Sequence, residues 1–445
     1  MNTPIADFVR CYAASDTARL HMPGHKGRAF LGCEPFDITE IAGADSLYEA
    51  DGIIAESEAN AAQLFGTART LYSTEGSSQC IRAMLYLCVN HRRTGKRPVV
   101  VAARNVHKAF VFAAALLDFE IVWLWPENPS SLCACEVSAA ALEETLQSLD
   151  APPSAVYITS PDYLGGMADI AQLADICHAH GTLLAVDNAH GAYLRFLSPS
   201  LHPMDLGADV CCDSAHKTLG VLTGGAYLHI SKGASEAFCA QAKQAMALFG
   251  STSPSYLTLM SLDLCNAELA GDYPARLAGM AARMDALKRE LRENGWRVLG
   301  SDPLKLTLDA CAAGTTGMAL AQQLRESGIE CEFADPETLV LMLTPENTDE
   351  ELSRLKAALG RNEAAARPWP VLPAAKGVRA MSVREAMFAP HETIPAKEAL
   401  GRICGAPTVA CPPAIPIAVS GETITREAIV LFEHYGVDEV DVVKE

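Results

Sequence analysis

Between about residues 60 and 235, short and nearly continuous apolar runs alternate with amphipathic stretches. The runs rich in β-branched and aliphatic residues are 99–101, 155–159, 182–186 and 226–230. A strand that is apolar along its whole length is typical of a sheet covered on both faces. This pattern predicts an α/β domain whose sheet is mainly parallel.

One amphipathic stretch shows how the runs are connected. Asp169 can cap a helix in which residues 170, 173, 174 and 177 form a single apolar stripe, and Gly181 can end that helix. The helix lies between the runs 155–159 and 182–186. A strand, a helix and a strand in this order predict a parallel pair.

The pattern changes after a long helical stretch at about 256–295. Short candidate strands at 304–308 and 339–343 alternate with candidate helices at 316–327 and 349–359, which is typical of a compact α+β unit. We therefore divide the chain into an N-terminal segment (1–60), a large α/β domain (61–270), a small α+β domain (271–360), an Ala- and Pro-rich linker (361–377) and a C-terminal domain (378–445).

Composition narrows the function classes. The formal charge of −19 argues against nucleic-acid binding and suits a cationic substrate. The first residues lack an apolar stretch behind a basic start, and the apolar run 109–117 is too short to cross a bilayer, so we expect neither a signal peptide nor a membrane span. The 15 cysteines lack zinc-site spacing, so we expect reduced thiols, no metal site and a cytoplasmic protein.

An aspartate at the end of an apolar run and a lysine on a later turn carry the strongest chemical signal. Lys217 lies in the segment DSAHKT just before the run 226–230, and Asp187 directly follows the run 182–186. Taken singly, a lysine such as Lys217 is usually a surface residue, and an aspartate such as Asp187 is usually a helix cap or turn former. Together they supply what pyridoxal phosphate requires, because a lysine amine forms the Schiff base and a carboxylate keeps the pyridine nitrogen protonated.

A phosphate anchor and a ring neighbour are also available. Gly76, Ser77 and Ser78 open an apolar helix, where backbone N–H groups and the helix dipole face an anion. His107 follows the strand at 99–101 and can lie flat on a cofactor ring. Each feature has a simpler interpretation, as a helix N-cap and as a loop histidine that makes a hydrogen bond.

The order of these motifs resembles the prokaryotic ornithine/lysine/arginine decarboxylases, in their short form. The blocks that carry the resemblance are HMPGHKG (21–27), DSL (45–47), GII (52–54), FGT (65–67), RNVHK (104–108), TSPDYLG (159–165), DNAHG (187–191), SAHK (214–217), TSPSY (252–256), SVREA (382–386), PPAIP (412–416) and GE (421–422). They span nearly the whole chain. The resemblance implies the aspartate-aminotransferase fold, also called fold type I of the pyridoxal phosphate enzymes.

Residue roles follow from the same resemblance. It implies Lys217 as the Schiff-base lysine, Asp187 as the partner of the pyridine nitrogen and His107 as the residue stacked on the ring. The further residues implied around the cofactor are Ser77, Ser78, Ser214 and His216 at the phosphate and His190 beside Asp187. Two departures leave the substrate in doubt: Ala414 stands where the PPGIP-type motif has glycine, and 223–226 is less polar than in the family.

The predicted activity is decarboxylation of arginine, lysine or ornithine to the amine and CO₂. Lys217 and His216 are the candidate proton donors, and Asp45, Glu49 and Asp162 are candidates for recognising the distal cation. Two alternatives remain open. One is another reaction on the same fold, transamination or β-elimination, and the other is a non-catalytic regulator that retains the scaffold. The resemblance also implies a homodimer or a larger even-numbered assembly.

Overall fold

The computed structural model describes residues 1–91, 95–126, 131–407 and 413–445. The chain forms two compact units, each assembled from separate pieces of sequence. Unit 1 consists of Met1–Arg92, Ser154–Val156 and Ile170–Arg276, and unit 2 of Arg93–Pro153, Tyr157–Asp169 and Leu277–Glu445.

Thirteen strands are present in the described residues. They are β1 Arg69–Ser73, β2 Val99–Ala103, β3 Glu120–Leu124, β4 Ala155–Thr159, β5 Leu183–Asp187, β6 Val210–Asp213, β7 Ala226–Ile230, β8 Val298–Leu299, β9 Lys305–Asp309, β10 Phe333–Ala334, β11 Thr338–Met342, β12 His391–Pro395 and β13 Glu439–Val443.

The helices are interleaved with these strands. They are α1 Pro4–Ala13, α2 Ile53–Phe65, α3 Ser77–His91, α4 Lys108–Leu117, α5 Ala139–Gln147, α6 Ile170–Ala179, α7 Ala215–Thr218, α8 Glu236–Leu248, α9 Tyr256–Leu269, α10 Tyr273–Glu293, α11 Gly317–Glu326, α12 Asp349–Leu359, α13 Val383–Phe388 and α14 Arg426–His434, with 3₁₀ turns at Glu34–Phe36, Ala192–Phe196 and Ala396–Glu398.

Four strands of unit 1 lie in the order β1-β7-β6-β5. β5 and β6 are parallel, whereas β7 runs antiparallel to both β6 and β1. The carboxyl ends of β1, β5 and β6 therefore meet at one edge of the sheet, together with the start of β7. Strand ends at such an edge are where open α/β sheets bind their ligands.

Helices of unit 1 cover this sheet. α3 packs against β5, β6, β7 and α8, and α6 packs against β5. α1, α2 and α9 pack on one another, and α2 also contacts β1. The strands themselves are buried along nearly their whole length, which explains why their sequences are apolar without alternation.

The paired strands of unit 2 fall into three groups. β2 and β3 form a parallel pair. β10, β11, β9 and β8 form an antiparallel sheet, on which α11 packs against β11. β12 and β13 form an antiparallel pair, and Phe432, Leu431 and Val442 belong to the apolar core beside it.

The predicted elements are present, with one difference in direction. The four apolar runs are strands, and the helix expected after Asp169 is α6, Ile170–Ala179. The fold-class prediction is confirmed, because β5–β6 and β2–β3 are parallel and helices cover the sheet. β7 is antiparallel, which its own sequence did not indicate. No helix of the part of the chain described here is long and apolar enough to cross a membrane.

Candidate active site

Lys217 lies on the short helix α7, immediately after β6. The backbone N–H of Lys217 donates to the Ser214 carbonyl at 2.9 Å, which makes the tight turn. The side-chain Nζ lies 2.8 Å from Nε2 of His190, within hydrogen-bond distance. His190 is buried, so this contact brings an imidazole of the DNAHG segment to the amine of the SAHK segment.

Asp187 is the last residue of β5 and only 2% exposed. Its Oδ1 accepts a hydrogen bond from the Ala189 N–H at 3.2 Å and lies 3.6 Å from Sγ of Cys212 on β6. The acceptor contact is that of a turn former, and the position is that of a ligand group at a strand end. Both interpretations of Asp187 therefore have a structural basis.

The first turn of α3 has the features of an anion site. Ser77 begins the helix, and Ser214 Oγ donates to Ser77 Oγ at 3.3 Å. Gly76 has φ +74°, its N–H donates to the Gly224 carbonyl at 2.7 Å, and a Cβ built there would meet no atom within 4 Å. Two hydroxyls and the N-terminus of a 15-residue helix thus lie together, a donor set that fits a phosphate.

His216 is held by the loop that precedes β7. Its ring Nδ1 and its backbone N–H lie 3.0 and 3.1 Å from the Gly225 carbonyl. A carbonyl only accepts, so Nδ1 carries the proton in this contact. The predicted roles of His216 at the phosphate and as a proton donor stay predictions.

His107 belongs to unit 2, at the start of α4. Its Nδ1 accepts a hydrogen bond from the Ala109 N–H at 3.1 Å, so the side chain caps this helix. The neighbouring Lys108 N–H donates to the Ala414 carbonyl at 2.9 Å. The simpler interpretation of His107, a loop histidine with a hydrogen bond, is therefore observed, and stacking on a cofactor ring stays a prediction.

A buried polar network that the sequence did not predict lies beside Asp187. Asp213, the last residue of β6, accepts at Oδ2 from Nε2 of His202 at 3.0 Å and from Nε2 of His229 at 3.1 Å. Its Oδ1 accepts from Nδ2 of Asn188 at 2.7 Å. Burial raises the pKa of Asp213, but the electrostatic interactions and hydrogen bonds with His202 and His229 outweigh it and hold the pKa below its ordinary value.

The same network has the ligand types of a metal site, because Cys211 Sγ lies near Asp213 and both histidines. The hydrogen bonds of His202 argue against metal binding by this residue. Its Nδ1 accepts from the Met204 N–H at 3.3 Å, so its ring proton is on Nε2 and points at Asp213. A protonated Nε2 has no lone pair to offer a metal. One signal in the sequence was available, since Asp213 and His229 are polar residues within apolar strands.

Two of the three candidates for recognising the distal cation, Asp45 and Asp162, bind backbone N–H groups. Asp45 accepts from the N–H groups of Ser46, Gly52 and Ile54 at 2.8–3.0 Å, across the start of α2. Asp162 accepts at Oδ1 from two N–H groups of its own turn, at 2.9 and 2.7 Å. Both carboxylates therefore serve local backbone structure, and neither is favoured as a substrate contact.

The chain matches a known family over most of its length. Residues 3–300 match the family described as Orn/Lys/Arg decarboxylase, major domain. The chain belongs to this family. An arginine decarboxylase of Bacillus subtilis is 29% identical over 461 residues, which cover 96% of this chain and 92% of that protein. An arginine decarboxylase of Halalkalibacterium halodurans is also 29% identical, over 95% of this chain and 91% of that protein.

Solved structures show the fold of this Orn/Lys/Arg decarboxylase family member. The lysine decarboxylase of Francisella novicida superposes with a TM-score of 0.80 at 17% identity, over 99% of this chain and 81% of that one. A NifS-like protein superposes with a TM-score of 0.54 at 15% identity, over 69% of this chain. The chain therefore has fold type I of the pyridoxal phosphate enzymes. The predictions of family, fold and enzyme class are confirmed.

The structure describes Ala414 and the segment 223–226, the two places where the sequence departs from the family. Ala414 is described and takes φ +60°, the left-handed conformation that glycine adopts without strain. Pro412 of the same PPAIP block lies outside the described residues. The segment 223–226 contains Gly224, whose carbonyl accepts the Gly76 N–H.

Proposed function

We propose that this chain decarboxylates a basic amino acid, with arginine as the first candidate, using pyridoxal phosphate bound to Lys217. One observation carries the proposal: the 2.8 Å contact between Lys217 Nζ and His190 Nε2, at the sheet edge where Asp187 ends β5. Arginine comes first because relatives named arginine decarboxylase match 95–96% of the chain.

The residues present fit the cofactor. Gly76, Ser77, Ser78 and Ser214 would hold its phosphate at the start of α3, since two of these hydroxyls already lie together there. Asp187 would face the ring nitrogen, and an ion pair at that buried position would keep the nitrogen protonated. When bound, pyridoxal phosphate accepts the electron pair left on the substrate carbon by the departing CO₂.

Side chains of this protein would transfer the proton to the substrate and contact the cofactor ring. Lys217 lies within hydrogen-bond distance of His190, so His190 can orient the amine and exchange a proton with it. Lys217 or His216 would protonate the substrate Cα after CO₂ has left. His107 would stack on the ring, and the net charge of −19 would favour the approach of a cationic substrate.

The proposed cellular setting follows from the reaction. The amine product would enter polyamine biosynthesis in the cytoplasm, and the working form would be a homodimer or a larger even-numbered assembly.

The five-part division of the chain at residues 60, 270, 360 and 377 is part of this proposal, with 61–270 as the cofactor-binding domain.

The test measures products with three substrates. Purified protein loaded with pyridoxal phosphate is incubated separately with arginine, lysine and ornithine, and CO₂ and amine are quantified. We expect CO₂ and amine in equal amounts, fastest with arginine. A keto acid without CO₂ would identify a transaminase. No turnover of these three substrates with full cofactor would contradict the proposal, and it would leave β-elimination of another amino acid or a non-catalytic protein.

A second measurement locates the cofactor. The loaded protein should be yellow, and borohydride should fix the cofactor to the peptide containing Lys217. Lys217→Ala should lose both the colour and the label, whereas Lys232→Ala, an exposed lysine of the same unit, should keep them. A label on another lysine would contradict the assignment of Lys217.

A further inference from the structure

The turn 187–191 is anchored at Asn188. The backbone N–H of Asn188 donates to the Cys212 carbonyl at 3.0 Å, and its own carbonyl accepts from the Gly191 N–H at 2.8 Å. Its side-chain Nδ2 donates to Asp213 Oδ1 at 2.7 Å. Asn188 is 0% exposed, and it lies between Asp187 and His190, two residues of the proposed site.

Asp213 connects this turn to the segment that carries Lys217. It ends β6, Ser214 follows directly, and the Lys217 N–H donates to the Ser214 carbonyl at 2.9 Å. His202 and His229 both donate to Oδ2, whereas Oδ1 accepts from Asn188 and lies 4.0 Å from Cys211 Sγ. The two oxygens of the Asp213 carboxylate therefore have different partners: Oδ2 binds the two histidines, and Oδ1 binds the Asn188 side chain.

We infer that Asp213 is a positioning residue that holds the turn 187–191, through Asn188, so that His190 meets Lys217. This inference deepens the proposed function and rests on it for its consequence in catalysis. Hydrogen bonds to a buried carboxylate are strong and directional, so they can fix a turn that would otherwise have several conformations. Asp213 acts through Asn188 and touches neither substrate nor cofactor in this role.

Substitutions at Asp213 and Asn188 can separate the positioning role of Asp213 from the effect of its charge. In Asp213→Asn, the oxygen can remain opposite the two histidines, and the new amide N–H₂ can donate to Asn188 once the Asn188 amide has rotated by half a turn. The link survives without the charge. In Asp213→Ala or Asn188→Ala the link is lost altogether.

A second aspartate provides a matched control at the opposite end of the same strands. Asp209 Oδ2 accepts from the Leu184 N–H at 2.8 Å and from His178 Nε2 at 3.0 Å. Asp209→Ala therefore removes a carboxylate that joins β6 to β5 and contacts a histidine, but it does so away from the turn 187–191.

The experiment measures the reactivity of the Lys217 amine in cofactor-free protein without substrate. Acetic anhydride acetylates lysines, and mass spectrometry gives the rate at Lys217 relative to the exposed Lys232 across pH 7–10. Asn188→Ala and Asp213→Ala should each change the relative rate by about 3- to 10-fold, the effect of losing one ordinary hydrogen bond at the amine. The double variant should change it no further.

Two variants should behave like the parent. Asp213→Asn and Asp209→Ala should leave the relative rate within about twofold of the parent, which is less than the contribution of one hydrogen bond.

If neither alanine variant at 188 or 213 folds, Gly191→Ala replaces them, because a Cβ there would lie 2.1 Å from Asn188 Oδ1 and displace that side chain. An unchanged Lys217 rate in a folded link-breaking variant overturns the inference. Absence of CO₂ release would instead count against the proposed function alone.

Discussion

At the scale of single residues, two buried aspartates have pKa values shifted in opposite directions. Burial raises the pKa of Asp162 to about 6, even though Lys305 and two backbone N–H groups lower it. Asp213 is buried as well, but two histidines hold its pKa below the ordinary value. The number and charge of the partners, which the sequence does not show, decide the direction.

Asp162 gives a prediction for stability against pH. Because its folded pKa lies above its ordinary value of 3.8, the folded state binds the proton more tightly, and stability falls as pH rises from about 4 to 6. Asp162→Asn keeps an acceptor for its two N–H partners and has no charge to bury. The variant should match the parent near pH 4 and be more stable at pH 7, by about 1–3 kcal/mol.

Urea unfolding of both proteins at pH 4, 5, 6 and 7 measures this difference. Asp209→Asn serves as the control for a less buried aspartate. Parallel curves for the parent and Asp162→Asn would show that Asp162 does not titrate in this window.

Asp187 gives a prediction for turnover. Asp187→Asn keeps the size and the acceptor for the Ala189 N–H, so folding should change little. The loss should appear in turnover, by roughly a hundredfold or more, as expected on removing one preorganised charge. Turnover and cofactor content are measured beside the parent. Near-parental turnover with full cofactor would leave Asp187 only as a turn former, because Asn and Asp cap about equally well.

At the scale of elements, several boundaries follow local rules and one loop departs from them. Thr348 and Ser382 form capping boxes with Glu351 and Glu385, which mark the starts of α12 and α13. Ala414 departs, since it is buried with φ +60° and its carbonyl accepts the Lys108 N–H. A β-carbon in that conformation costs about 1–2 kcal/mol.

Ala414→Gly should therefore stabilise unit 2. Glycine removes the steric cost but loses more chain entropy on folding, so the expected net gain is about 0.5–1 kcal/mol. Ala418→Gly is the matched control, as a buried alanine of the same segment without a left-handed φ, and it should destabilise. Thermal unfolding compares the three proteins. A lower midpoint for Ala414→Gly would contradict strain at this position.

At the scale of the whole molecule, four exposed apolar side chains of the N-terminal segment predict self-association. Leu20, Met22, Phe30 and Leu31 are 94, 67, 81 and 88% exposed in the single chain. Large exposed apolar side chains are typical of interaction sites, and a second copy of the chain is the partner that the family resemblance implies.

The double variant Phe30→Glu/Leu31→Glu should weaken dimerisation by tenfold or more, because each glutamate places a charge in an apolar contact. Val371→Glu, at a position 98% exposed, is the control and should dimerise like the parent. Sedimentation velocity over a dilution series measures the association. A parent that sediments as a fully active monomer would exclude a required dimer.

The sequence alone predicted six of the thirteen described strands (β2, β4, β5, β7, β9 and β11) and the helix α6, and it identified Lys217 and Asp187 as candidate site residues. These follow from local patterns, because a strand covered on both faces must be apolar and a strand end must carry the ligand groups. Tertiary structure alone decided that β7 is antiparallel, that His190 meets Lys217, and that Asp213 joins His202, His229 and Asn188. These hydrogen bonds join residues that are 11 to 27 positions apart in the sequence. Which residues meet therefore depends on the order of the strands in the sheet, and no local pattern specifies that order.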